Sequence, residues 1–178
     1  MTGDANRRFL AYACTVIAAA CLCVAASWRA TGVGLSTSFA LFAALMLMSE
    51  SLVVALPMGN MSLTHPLSVA AAVLLGPTHA ALLMSLSQVP SLFGERRISA
   101  VKFLFNASQL ALAGLAAGWL YLAAGGQLLS QGALDAQDFP RMILPVAVVA
   151  VAGMVCNFAL AGMAVHLMYG VSMRRIWY

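Results

Sequence analysis

Long apolar runs are the feature of this chain that most limits how it can fold. The first run, over residues 9–28, supplies about 20 residues, enough at ~1.5 Å rise per residue to cross the ~30 Å hydrocarbon core of a bilayer. Only 8% of the 178 residues are charged, whereas a soluble domain has roughly 25%. A water-facing surface cannot be built from so few charges, so an integral membrane protein is predicted. The runs are apolar on all faces, which favours helices over a β-barrel.

The chain is predicted to form one compact all-α domain over residues 1–178, a bundle of six transmembrane helices. The expected spans are 9–28, 35–56, 62–75, 78–93, 100–122 and 142–169. The third and fourth spans are short and are separated only by Gly76-Pro77. Two arrangements fit such a pair, namely two thin spans or a re-entrant helical hairpin, and we favour two spans. A cleaved signal peptide is the alternative for the first run, but its length and its end at Trp28-Arg29 favour an anchored helix.

Basic residues are divided unevenly between the two sides of this arrangement. With the N-terminus inside, the cytoplasmic set is Arg7, Arg8, Arg96, Arg97, Lys102, Arg174 and Arg175, and the outer set is Arg29 and Arg141. Lys and Arg accumulate in the cytoplasmic loops of membrane proteins, so both termini are expected in the cytoplasm. A re-entrant hairpin over residues 62–93 would start and end on the same side and leave this orientation unchanged.

Polar residues inside the apolar runs are the candidate functional residues. Five of them are expected to form a polar cluster in the cytoplasmic half of the membrane: Glu50, Gln88, Lys102, Asn106 and Gln109. The last three share one helix face because they are four and three residues apart. A charged side chain within a membrane costs about 2.5–3.5 kcal/mol on insertion scales. Glu50 is therefore read either as a functional group or as a structural one, paired with Lys102 or hydrogen-bonded to the amides, and it is predicted to meet the Lys102–Asn106–Gln109 face.

Three further polar residues are candidates, and each has a structural alternative. His65 stands next to Pro66 near a helix start, where capping competes with proton sensing. His166 is near a helix C-terminus, where it complements the helix dipole. Asn157 lies nearer the middle of its span, and His79 is alone toward the outer side.

Motifs of catalysis and of cofactor binding are absent from the sequence. It has no phosphate loop, no paired metal-ligand motif and no Ser-His-Asp arrangement that the topology would bring together, and its four cysteines lie in apolar runs without zinc spacing. We therefore expect no enzymatic activity, no metal, no cofactor and no nucleic-acid partner. Small-residue stripes such as Gly114-xxx-Gly118 mark where helices touch, either within the chain or in a homodimer.

Several short motifs point to a known kind of membrane region. They are Ser49-Glu50 before Leu-Pro-x-Gly-Asn60, Ser62-Leu-x-x-Pro66, Leu74-Leu-Gly-Pro77, the run from Phe105 to Leu112, and Ser172-x-Arg-Arg-x-Trp177. Residues 35–178 resemble, through these motifs, the N-terminal membrane region of bacterial HD-domain (including HD-GYP) phosphohydrolases and of some diguanylate cyclases. The resemblance implies a sensory or regulatory module of the bacterial cytoplasmic membrane. It also implies that residues 172–178 begin a linker to a cytoplasmic output domain, which in those proteins carries the catalytic motifs.

A transporter subunit is the competing interpretation. Six short helices with a Leu-Leu-Gly-Pro turn also resemble the substrate-binding membrane subunit of energy-coupling-factor vitamin transporters, which would imply a coupling subunit as partner. An importer that captures substrate from outside should place polar ligand groups in its outer half. The polar groups of this chain are predicted in the inner half, so the sensory interpretation is preferred, with the lipid bilayer as surroundings and an unidentified signal.

Overall fold

Six α-helices dominate the architecture seen in a computed structural model of the chain, which describes residues 3–32, 34, 36–51, 54–56, 59–61, 64–93, 98–128 and 139–172. The helices are α1 (Gly3–Thr31), α2 (Thr37–Ser51), α3 (Thr64–Leu75), α4 (Pro77–Leu86), α5 (Ala100–Ala123) and α6 (Phe139–Tyr169). Two short strands, β1 (Val54–Leu56) and β2 (Gly59–Met61), pair antiparallel between α2 and α3. The predicted bundle of six helices is confirmed, and the small β-hairpin is an addition to it.

Helix length divides the bundle into two sets. Within the described residues, α1, α5 and α6 are long and apolar enough to cross a membrane, judged by length and composition. They have 29, 24 and 31 residues, more than the ~20 that a span needs. The other three helices, α2, α3 and α4, have 15, 12 and 10 residues and are therefore about 22, 18 and 15 Å long.

Two helices end earlier than the sequence predicts. The expected span 35–56 is helical only to Ser51, and residues 54–56 form β1 instead. Its predicted stop, Pro57, lies outside the described residues. The expected span 78–93 is an α-helix only to Leu86, after which Val89–Leu92 forms a short 3-10 helix that contains Pro90. Apolar character alone does not distinguish the last turn of a helix from a short apolar strand or turn, so both spans are predicted too long.

The short helices α3 and α4 form a helical hairpin that turns at Gly76. Gly76 has a φ of 92°, a left-handed conformation that glycine adopts readily because it has no Cβ. Pro77 then begins α4, and a proline at the first helical position costs no hydrogen bond. The open ends of the hairpin come together, since Thr64 at the start of α3 and Gln88 just after α4 both hydrogen-bond to Glu50. Neither arm alone is long enough to cover the hydrocarbon core.

The hairpin packs closely because α5 presents small residues to α4. A Cβ added at Gly118 would lie 2.4 Å from Pro77 Cα, and one at Gly114 would lie 3.0 Å from the backbone of α4. On an adjacent face of α5, Ala117 lies against Gly153 of α6, where a Cβ added at Gly153 would lie 3.4 Å from Ala117 Cβ. The predicted stripe of small residues therefore serves packing within the chain, and the fully buried Tyr121, Met46 and Leu83 complete the core.

Candidate functional site

Glu50 lies in the last turn of α2 and is half-buried. Its Oε1 accepts a hydrogen bond from Gln88 Nε2 and its Oε2 accepts one from Thr64 Oγ1, both at 3.4 Å. Both carboxylate oxygens are thus acceptors, as expected of an ionised carboxylate. The two distances are long compared with the usual ~2.7–3.2 Å. One carboxylate therefore joins α2 to both open ends of the α3–α4 hairpin, through weak contacts.

A cavity of about 330 Å³ lies beside this carboxylate, and we call it the Glu50 cavity. Its polar lining consists of Glu50, Thr64, His65, Gln88, Asn106, Gln109 and Asn157, and its apolar lining of Met84, Leu110 and Gly153. Five of the six α-helices, α2 to α6, contribute to these walls. A change in one wall of the cavity can therefore affect the packing of most helices of the bundle.

Gln109 leaves a polar atom unsatisfied in the wall of the cavity. The residue is only 8% exposed, and its Nε2 donates a hydrogen bond to Asn157 Oδ1 at 2.8 Å. Its Oε1, by contrast, is buried and has no hydrogen-bond partner in the described part of the chain. A buried polar atom without a partner costs about 1–3 kcal/mol, so this acceptor is a defect unless something else satisfies it.

Most of the predicted polar residues meet at this cavity. The structure brings together Glu50, Gln88, Asn106 and Gln109 of the predicted cluster, and also His65 and Asn157. Lys102 is exposed and is not part of the lining. The alternative of an ion pair between Glu50 and Lys102 is therefore not realised among the described residues. Lys102 lies in the first turn of α5, where a long side chain reaches water more easily than the bundle interior.

His166 lies away from this site and has a local role. Its Nδ1 is 2.8 Å from the carbonyl oxygen of Val171, just beyond the end of α6. The contact ties the last turn of the helix to the residues that follow it. This position agrees with the structural alternative for His166, an interaction at a helix C-terminus.

Thr64 is a member of the site that the sequence reasoning missed. It is buried and hydrogen-bonds to Glu50 and to the Ser49 hydroxyl, the latter at 3.5 Å. A signal was available, because a threonine at the start of a predicted helix and next to a candidate residue is typical of a helix N-terminus. The apolar members, Met84 and Leu110, carried no signal that distinguishes them from other core residues.

A second set of polar residues lies at the other end of the hairpin. The Thr78 hydroxyl hydrogen-bonds to the Ser27 hydroxyl at 2.7 Å and to the Thr31 hydroxyl at 3.0 Å, and Trp119 Nε1 donates to Ser27 Oγ at 3.2 Å. We call these four residues the Thr78 network. It joins the start of α4 to the end of α1 and to α5 through short hydrogen bonds, and it contains none of the predicted site residues.

His79 reinforces this end of the bundle. Its Nδ1 is 2.8 Å from the Leu75 carbonyl oxygen and its Nε2 is 3.0 Å from the Gly34 carbonyl oxygen. A neutral imidazole donates from one nitrogen only, so in either neutral tautomer one of these two contacts is a hydrogen bond. The Phe39 ring packs against the His79 ring, with the two ring centroids 5.6 Å apart and the rings tilted by 52°. A cavity of about 460 Å³ adjoins His79 and Thr78.

The apolar helices and the polar cavity at one end of the bundle define a membrane-associated helical domain built around an internal site. Comparison with known families then identifies the family to which this domain belongs. Residues 21–178 match the model of the family MASE9, and the chain belongs to this family of membrane-associated sensory domains. The prediction of a sensor-like membrane region is confirmed at this level. Searches of curated proteins and of solved structures give no significant match.

Proposed function

We propose that the chain is a non-catalytic input module of a bacterial signalling system, in which the Glu50 cavity is the site whose state is passed to the cytoplasm. Membership of MASE9 supports a sensory role. The observation that carries the proposal is that Glu50 contacts both open ends of the α3–α4 hairpin, each at 3.4 Å. Because these contacts are long and therefore weak, a change of occupancy or charge at Glu50 repositions the hairpin against α2 at small energetic cost.

The proposed setting is the bacterial cytoplasmic membrane, with several crossings and both termini in the cytoplasm. Arg7 and Lys102 lie at the same end of the bundle, because neighbouring Phe9 and Phe105 have ring centroids 5.8 Å apart. Arg29 lies at the other end of α1. The distribution agrees with the positive-inside rule, although Arg96, Arg97, Arg174 and Arg175 lie outside the described residues. In this orientation the Glu50 cavity lies in the cytoplasmic half, and the turn of the hairpin lies toward the outside, level with the end of α1.

The route from the cavity to a partner is proposed to be α6. Gly153 and Asn157 place this helix in the cavity wall, and the Gln109–Asn157 hydrogen bond of 2.8 Å joins it to α5. The helix leads directly to the C-terminal residues, of which 173–178 lie outside the described residues. A cytoplasmic output domain or subunit is the proposed partner. A homodimer through Gly114 and Gly118 is not proposed, because α4 covers that face.

A fusion that carries a diguanylate cyclase domain after Tyr178 tests this function. The wild-type fusion forms product only if its C-terminus reaches cytoplasmic GTP, so its activity also tests the proposed orientation. Glu50→Gln keeps the shape of the side chain and removes its charge. We expect it to change product formation per molecule about fivefold or more, the range of typical coupling energies.

The matched control is Lys102→Gln, which removes a charge outside the cavity and should leave the output unchanged. Cellular cyclic nucleotide and the amount of fusion in the membrane fraction are measured for each variant. Equal output of the wild type and Glu50→Gln at equal membrane levels would contradict the proposal.

The transporter interpretation has less support. The cavity of about 460 Å³ near His79 would face the outside in the proposed orientation, where an importer needs its binding site. However, the Thr78, Ser27 and Thr31 hydroxyls there are engaged with one another at 2.7–3.0 Å. The hydroxyls at this end are therefore already paired within the protein, and transport is not proposed.

A further inference from the structure

The Glu50 cavity carries a negative charge that no described residue in its wall balances. Its lining contains one carboxylate and neither lysine nor arginine. His65 is the other titratable side chain of the lining and is exposed, while Lys102 is not part of the wall. A carboxylate removed from water is costly unless it is paired and fully hydrogen-bonded. The site therefore suits a cation.

Two hydrogen-bond acceptors in the wall, on Glu50 and Gln109, have unused capacity. A carboxylate offers about four acceptor sites, and Glu50 uses them in two contacts of 3.4 Å. Gln109 Oε1 is buried and unpartnered in the described part of the chain. The Asn106 amide adds a further polar group to the same lining. A ligand rich in N–H donors would satisfy these acceptors, whereas an anion or an acceptor-rich ligand would not.

The size and the chemistry of the cavity favour an organic cation over a metal ion. Its volume of about 330 Å³ is at the lower end of small-molecule sites, which hold ~300–1,000 Å³. Among the described residues, no group of three His, Cys, Asp or Glu could hold a metal ion. Met84 and Leu110 add apolar side chains to the lining, and a bare metal ion would make no use of them.

We propose that the Glu50 cavity binds a small primary ammonium compound, with its ammonium group at the Glu50 carboxylate and its hydrocarbon part against Met84 and Leu110. A primary ammonium group has three N–H donors, enough for Glu50 and neighbouring amide oxygens. Its charge-assisted bonds are stronger than the contacts they compete with, so binding loosens the hold of Glu50 on Thr64 and Gln88. This ligand class rests on the proposed sensory role and names what the cavity detects.

Titration calorimetry with n-butylammonium chloride at pH 7, on the purified chain in lipid nanodiscs, tests the ligand class. We expect saturable binding at one site, and an affinity at least about tenfold lower in Glu50→Gln, as for loss of a hydrogen bond to a charged group. Lys102→Gln should bind as the wild type does. Three probes separate the contributions: n-butanol lacks the charge, tetramethylammonium lacks N–H donors, and sodium lacks the hydrocarbon part. Each should bind more weakly than butylammonium.

A second variant keeps the test decisive if Glu50→Gln does not fold. Asn106→Asp adds a carboxylate to the wall and is expected to tighten butylammonium binding about threefold or more, as a nearby opposite charge does. Absence of binding, equal binding of n-butanol, tetramethylammonium or sodium, wild-type affinity in Glu50→Gln, or no tighter binding in Asn106→Asp would overturn the ligand class. Binding without any effect of Glu50→Gln on the cyclase fusion would establish the ligand site and refute the sensory role. An effect of Glu50→Gln on the cyclase fusion without butylammonium binding would refute the ligand class alone.

Discussion

The two ends of the α3–α4 hairpin are held in contrasting ways. At the turn, the Thr78 network uses hydroxyl contacts of 2.7 and 3.0 Å, and an added Cβ at Gly118 would lie 2.4 Å from Pro77 Cα. At the open end, Glu50 makes two contacts of 3.4 Å beside a cavity, and Gln109 Oε1 is unpartnered among the described residues. A cavity adjoins each end. The turn nevertheless packs closely against α5 and its hydroxyls make short hydrogen bonds, whereas at the open end Glu50 is loosely bonded and Gln109 Oε1 is unsatisfied.

This contrast indicates which polar residues of a membrane bundle are structural. Short, mutually satisfied hydrogen bonds between helices hold the hairpin in place. Long bonds and an orphaned acceptor contribute little to stability and leave capacity for a ligand. The described polar residues at the two ends of the hairpin therefore differ in kind, and those around Glu50 have the properties of a responsive site.

The largest expected difference between the two ends is steric. Gly118→Ala places a Cβ 2.4 Å from Pro77 Cα and should destabilise the chain by about 1–3 kcal/mol, because α4 must move away from α5. The matched variant Gly153→Ala, in the wall of the Glu50 cavity, meets Ala117 only at 3.4 Å. It should be neutral or gain up to ~1 kcal/mol from helix propensity. Thermal melting followed by circular dichroism in detergent measures the stability of both variants. An equal loss of stability in the two would contradict the expected difference in packing.

Hydrogen bonding at the turn gives the next largest effect. Thr78→Val keeps the shape of the side chain and removes both of its hydroxyl contacts, which should cost about 1 kcal/mol. The same substitution at Thr15, whose hydroxyl only reaches back to the Ala11 carbonyl on an exposed helix face, should stay within ~0.5 kcal/mol. Equal melting temperatures of Thr78→Val and Thr15→Val would show that the Thr78 network does not hold the hairpin.

The smallest stability effect is expected in the wall of the Glu50 cavity. The double variant Gln109→Leu with Asn157→Leu removes one interhelical bond, worth about 0.6 kcal/mol, and also removes the orphaned acceptor. It should therefore be as stable as the wild type or more stable, since replacing both partners by apolar groups is nearly neutral. The melting temperatures of this double variant and of Thr78→Val, measured under the same conditions, test this expectation. A loss larger than that of Thr78→Val would show that the cavity wall is structural.

Much of this organisation could be predicted from the sequence. Apolar length predicted a helical membrane bundle, and the spacing of Asn106 and Gln109 placed them on one face of α5. The glycine spacing of α5 predicted close helix contact, and α4 occupies that face. These features depend on local periodicity, which a single sequence contains.

The remaining features depend on three-dimensional neighbours. The end of α2 at Ser51 and the strand pairing of residues 54–56 with 59–61 are set by tertiary context, because the same apolar residues suit either a helix or a strand. Ser27, Thr31 and Thr78 were missed because a hydroxyl in a helix is ordinarily satisfied by its own backbone. Their bonds to one another appear only once α1 and α4 are packed.

The most direct test of the central claim compares the two ends in one measurement, the output of the cyclase fusion carrying either Glu50→Gln or Thr78→Val. We expect Glu50→Gln to change the product formed per molecule about fivefold or more, and Thr78→Val to lower thermal stability but leave that output at the wild-type level. If the output changes in Thr78→Val and not in Glu50→Gln, the responsive site is at the turn of the hairpin and the proposed function is wrong.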